Sequence, residues 1–148
     1  MGTAMRFTFL SLALLCGAAQ AQLAYTAKVV NMRAGPAREY PIVAVLPGGL
    51  QVNVQGCLSD YRWCDVVAGP NRGWVYAGNI SYAYQNSYEP LLYWGPVVGL
   101  AILGFTLDDY WQQHYWSRPW YQERYRWRRV PPPQARPCSC RPPDRRPR

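Results

Sequence analysis

The chain has 148 residues, with 16 Lys or Arg against 8 Asp or Glu and a net charge of +8. That length holds one small domain plus flanking segments. A single histidine, His114, excludes any Ser-His-Asp or Cys-His arrangement built without it. The positive charge is uneven. Arg118 to Arg148 contains ten Arg against Glu123 and Asp144, whereas Gln22 to Asp109 has five basic and six acidic residues. The basicity belongs to the C-terminal tail.

Residues 1–21 read as an export signal. Arg6 gives a positive start, Phe7 to Gly17 is an apolar run, and Ala19-Gln20-Ala21 has the small-x-small pattern of a cleavage site. Cleavage is expected after Ala21, which sends the chain to the periplasm or outside the cell. Cys16 follows Leu15, where a lipid-anchored leader needs a small residue, so lipidation is not expected.

Tyr25 to Arg33 reads as one strand, with Val29 and Val30 β-branched. Ala34 to Pro41 is a loop. Ile42-Val43-Ala44-Val45-Leu46 has strand length, and Pro47-Gly48-Gly49 turns. Leu50, Val52 and Val54 alternate with Gln51, Asn53 and Gln55, the pattern of a strand buried on one face. Gly56 to Arg62 is a hairpin loop from which Trp63 to Val67 returns. Gly69 to Gly73 turns again before Trp74-Val75-Tyr76, and Gly78-Asn79-Ile80 closes the unit. Short strands with Gly and Pro punctuation predict an all-β barrel or sandwich.

A unit of about 60 residues buries only about 60% of its unfolded surface, and a cross-link would help it. Cys57, Cys64, Cys138 and Cys140 follow the leader, and four cysteines allow three pairings. Cys57–Cys64, across a hairpin, is the expected one. Closing that loop contributes about 2.5 kcal/mol on a chain-entropy account.

Asn31-Met32-Arg33-Ala34-Gly35-Pro36, Tyr40-Pro41-Ile42-Val43, Leu46-Pro47-Gly48-Gly49, Val52-Asn53-Val54 and Gly73-Trp74-Val75 resemble the bacterial SH3 family over about residues 24–81. The resemblance implies a small SH3-like barrel, often secreted, that tethers proteins to peptidoglycan or other envelope material. The Cys57 and Cys64 pair is similar to that of periplasmic members with a cross-linked hairpin. The same residues have an ordinary physical account: Gly35 permits a turn, Pro36 fixes it, and Trp74 fills a barrel end.

Residues 82–109 read as an apolar connector. Pro90 to Leu107 is eighteen residues without a charge, the lower edge for a membrane span. Tyr93 and Trp94 suit an interface, and the Arg tail beyond suits the cytoplasmic side. Pro96 and three glycines weaken a helix there, and the competing reading is an apolar strand or turn packed on the barrel. Residues 110–148 read as a largely disordered Arg/Pro/aromatic tail. Eight aromatics lie between Tyr110 and Trp127 at a spacing of five, which matches no regular element, and Pro119 interrupts any helix.

Tyr40, Trp63 and Tyr76 are the candidate ligand-binding rings on the barrel rim, with Trp63 and Trp74 also candidates for the core. Arg33 reads as a turn-stabilising donor. No catalytic residue, cofactor or metal is expected. Cys138-Ser139-Cys140 with His114 is too short a spacing and too few ligands for a structural zinc pair. Asp108-Asp109 are adjacent, so they do not converge on one site. The expected partner is a cell-wall or envelope polymer or a protein, with anionic lipid contact through the tail. Export argues against nucleic acid. The alternative is a single-pass inner-membrane protein with residues 90–107 as the span, the barrel outside and the Arg tail in the cytoplasm.

Overall fold

The computed structural model describes residues 22–131. The expected leader, the Pro-Arg run from 132 onward, Cys138 and Cys140 lie outside the described residues. Eight strands form one antiparallel sheet: β1 (Gln22–Thr26), β2 (Val30–Arg33), β3 (Ile42–Leu46), β4 (Gln51–Cys57), β5 (Trp63–Ala68), β6 (Asn71–Tyr76), β7 (Ile80–Tyr84) and β8 (Ser87–Pro90). Their order across the sheet is β3-β2-β6-β5-β4-β1-β7-β8. Ala24, Met32, Leu46, Val54, Val66, Val75 and Ile80 share one buried cluster. A flat sheet could not bring side chains from strands so far apart in that order together, so the sheet curls around them into an SH3-like all-β unit. Register breaks at Met32/Arg33 and at Val54/Gly56 bend the β2–β3 and β4–β5 ladders.

The stretch expected as one strand from Tyr25 to Arg33 is two. Ala27, Lys28 and Val29 are exposed between them. β1 pairs with β4 and β7, whereas β2 pairs with β3 and β6, so the chain must leave one set of neighbours to reach the other. Thr26 secures the exit: its hydroxyl accepts from the Leu50 N–H at 2.9 Å and donates to the Pro47 carbonyl. The alternation at Val52 and Val54 places both in the core, as their spacing requires.

Cys57 and Cys64 face each other across β4 and β5 and are joined by a disulfide. Beyond the barrel, β7 and β8 form a hairpin whose two turn residues, Gln85 and Asn86, have φ of 45° and 62°. Two consecutive residues of that kind make the tight turn matched to strand twist.

The apolar connector packs on the barrel. A short helix α1 (Leu91–Trp94) buries Leu91, and Leu100 is buried with it in the barrel cluster. The strap that follows lies beside β4: the Cys57 N–H donates to the Ala101 carbonyl at 2.9 Å, and the Leu103 N–H donates to the Cys57 carbonyl at 2.8 Å. Gly56 makes this approach possible, because a Cβ there would stand 2.6 Å from the Ala101 oxygen. No helix among the described residues is long and apolar enough to cross a membrane.

The aromatic tract at the start of the tail, expected to form no regular element, is helical in two pieces. Helix α2 (Leu107–His114) and a 3-10 helix (Pro119–Arg126) lie against the Ala34–Tyr40 loop. One helix would scatter rings spaced by five. Here a break at residues 115–118 separates two short helices, and each presents its own rings to the same surface. Trp111 is 0% exposed, and its indole N–H donates to the Ala34 carbonyl at 2.8 Å. Trp120 and Trp127 pack on Trp111 at 4.7 and 5.3 Å between ring centroids. The Trp127 N–H donates to the Glu39 carbonyl at 2.9 Å.

Candidate functional site

The β5–β6 hairpin organises the exposed chemistry. Its register pairs Trp63 with Tyr76, Asp65 with Trp74 and Val67 with Arg72. Side chains alternate along a strand, so these three pairs share one face, while Cys64, Val66 and Val75 point to the barrel core. Trp74 therefore does not fill the barrel end. It lies on the opposite face and is buried there by Phe105 and Tyr110 of the C-terminal segment.

Trp63 and Tyr76 stand at the open end of that face, half-buried, with ring centroids 6.0 Å apart at 72°. They line a groove of about 300 Å³ with Val29, Val30, Asn31, Arg33, Arg38 and Asn79. Trp63 is held by its place on β5 opposite Tyr76. Arg33 is held by a bond from its Nη1 to the Tyr40 carbonyl at 2.9 Å, the turn-stabilising role expected of it. Arg38 is exposed. The groove thus offers two guanidinium groups, two asparagine amides and two rings, and no carboxylate is among its lining residues. Such a lining suits a ligand with acidic groups and a flat or apolar part.

Tyr40, the third candidate ring, is not on this rim. It is 5% exposed and packs edge-on against Phe105 and Trp111. A Cβ on Gly35 would meet its ring at 2.6 Å, so the Gly-Pro turn is built to let Tyr40 lie across it. Burial, with a smaller contribution from Glu39, pushes its hydroxyl up to about 12. A side chain enclosed in this way serves the docking of the C-terminal segment.

Sequence reasoning missed a buried polar cluster further along the same hairpin face. Asp65 is 1% exposed. It takes two bonds from Arg72 Nε, at 3.2 and 3.1 Å, and one from Nη2 at 2.7 Å. The Tyr110 hydroxyl donates to Asp65 Oδ1 at 2.8 Å, and the Tyr115 hydroxyl donates to the Arg72 carbonyl at 2.7 Å. Hydrogen bonding to Asp65 holds Arg72 firmly charged, against the opposing effect of burial. Burial first, then neighbouring charge, raises the Tyr110 hydroxyl above the usual phenol range. The carboxylate is saturated by donors, so the cluster fixes α2 to the hairpin. Asp65 and Tyr110 are 45 residues apart, and no local spacing signals their meeting.

Comparison with known proteins agrees with this architecture. The model of the bacterial SH3 domain family matches residues 28–81. No curated protein and no solved structure matches the chain. The matched stretch runs from the residue pair before β2 to the first residues of β7, and so contains both walls of the Trp63–Tyr76 groove. Domains of this kind are generally binding modules, often for cell-wall material. Residues 28–81 of this chain are a bacterial SH3 domain, cross-linked by Cys57–Cys64.

Proposed function

We propose that the chain is an exported, non-catalytic binding module that grips an anionic envelope polymer, peptidoglycan or another acidic cell-wall polymer, in the Trp63–Tyr76 groove. The observation that carries this reading is the lining of that groove: two rings with Arg33 and Arg38 and no acidic side chain. Arg forks pair with carboxylate or phosphate, and the rings cover sugar or peptide faces. Export rests on the leader pattern of residues 1–21 and agrees with a disulfide, which persists in oxidising compartments. The ten arginines from Arg118 onward add a long-range attraction to acidic polymers and anionic lipid headgroups.

Co-sedimentation with purified peptidoglycan tests the reading. Trp63→Ala with Tyr76→Ala should reduce retention at least about tenfold, the scale expected for aromatic anchors. Arg38→Ala should weaken it about threefold, and raising salt should diminish the Arg38 effect. Equal retention of wild type and the double variant would remove the groove from the account. No retention on any anionic wall polymer would turn the reading toward a protein partner.

A further inference from the structure

A second cleft, of about 400 Å³, opens where the hairpin face meets the strap and α2. It is a seam feature: Arg72 and Trp74 come from the SH3 domain, whereas Thr106, Asp109, Tyr110, Gln113 and His114 come from the C-terminal segment. We infer that this cleft binds a neutral polyhydroxylated ligand, a sugar unit, with Arg72, Asp109 and Gln113 as its polar contacts.

Charge balance selects the class. The Arg72 guanidinium is already neutralised by buried Asp65 on its inner edge. Burial, with the nearby Arg72 charge, lowers the basicity of His114, which keeps its ring uncharged near neutral pH. Asp109 is then the net charge on the rim, and it repels acidic ligands. This is the reverse of the Trp63–Tyr76 groove. Hydrogen-bond chemistry narrows the class further. Arg72 and the Gln113 amide donate, Asp109 accepts, and the Thr106 hydroxyl does both. An apolar ligand would leave these groups unpaired, and a simple amine would use only the carboxylate. A sugar supplies donors and acceptors together, and its C–H face fits the wall made by Tyr110 and His114, whose rings are 4.6 Å apart.

The contacts are also pre-positioned. The Asp65 bonds lock the guanidinium, the Tyr110 hydroxyl locks Asp65, and α2 carries Asp109 and Gln113 on a rigid element. Trp74, held from the barrel side, also lines the cleft. The volume lies within the range of small-molecule sites.

The test is a titration of the full chain, labelled with nitrogen-15, with glucose, N-acetylglucosamine and its disaccharide, using glutamate and putrescine as anionic and amine controls. Indole signals of Trp74 and Trp63 report the two clefts separately, assigned by Trp74→Phe and Trp63→Phe. A sugar should move the Trp74 signal with a dissociation constant on the order of 1 mM and move Trp63 much less, because the Arg33 and Arg38 groove draws its affinity from acidic groups that a neutral sugar lacks. Gln113→Ala and Asp109→Ala, both at exposed positions, should each weaken binding about fivefold with the rest of the spectrum unchanged. The inference is overturned if no sugar moves the Trp74 signal, if sugars move Trp63 instead, if glutamate or putrescine competes equally well, or if both variants bind as wild type.

Discussion

The barrel and the segment that wraps it are held by different kinds of contact. Strands β1 to β7 are joined to their neighbours by backbone pairing, with one disulfide across the central pair. From residue 104 to 131 the C-terminal segment is tied to the barrel by side chains: two indole N–H groups on loop carbonyls, two phenols on the hairpin and a stack of rings on Tyr40. A ladder distributes its stabilisation over many small bonds. Side-chain docking concentrates it in a few buried anchors, so single substitutions should distinguish the two regions sharply.

The largest effect is expected at Trp111. Trp111→Ala removes a fully buried ring and the bond to Ala34. It should cost about 3–5 kcal/mol in denaturant unfolding. Reduction of Cys57–Cys64, or Cys57→Ala with Cys64→Ala, should cost about 2.5 kcal/mol and lower the melting temperature. An unchanged melt in reductant would leave the bridge without energetic consequence. Asp65→Ala leaves Arg72 without its carboxylate. Because the Arg72 side chain is 35% exposed, solvent screens the loss, and about 2 kcal/mol is expected.

Alkaline titration sharpens the comparison without mutation. The Tyr40 hydroxyl is raised from 10.0 to about 12 in the folded chain. Its contribution is complete below pH 10. Above that the unfolded chain ionises first, so stability falls between about pH 10 and 12. Burial shifts Tyr110 and Tyr115 in the same direction, which deepens the fall. Unfolding midpoints from pH 8 to 12 should be flat and then decline, and Tyr40→Phe should soften the decline. The smallest effect is expected at the β7–β8 turn. Asn86→Gly relieves a left-handed backbone position and should stabilise by about 0.5 kcal/mol, read as a small rise in midpoint.

The contrast explains what could be read from the chain before its structure. Alternation at Leu50, Val52 and Val54 names a strand because pleating alone dictates it, and the Cys57 and Cys64 partnership follows from a hairpin that two flanking strands force. Trp63 and Tyr76 share a face because they pair across β5 and β6, which the same pleating dictates. Trp74 was misplaced because alternation says which residues share a face, not which face another segment will cover. Tyr40 was misassigned because its cover, Trp111, lies 71 positions away. The aromatic tract defeated periodicity because its spacing of five is divided between two short helices, and only the break at residues 115–118 brings the rings onto one surface. The Asp65 and Tyr110 contact had no signal at all, since an isolated Asp in a strand and an isolated Tyr in a tail carry no mark of each other.

Deuterium exchange at the tryptophan indoles, followed by nitrogen-15 spectra of the full chain, examines the docking of the C-terminal segment most directly. The Trp111 N–H, enclosed and bonded to Ala34, should exchange as slowly as the amides of β4 and β5, while the N–H of Trp116, 69% exposed, should exchange within the dead time. Equal, fast exchange at both indoles would mean that the segment does not dock on the barrel, and the seam cleft with it would be lost.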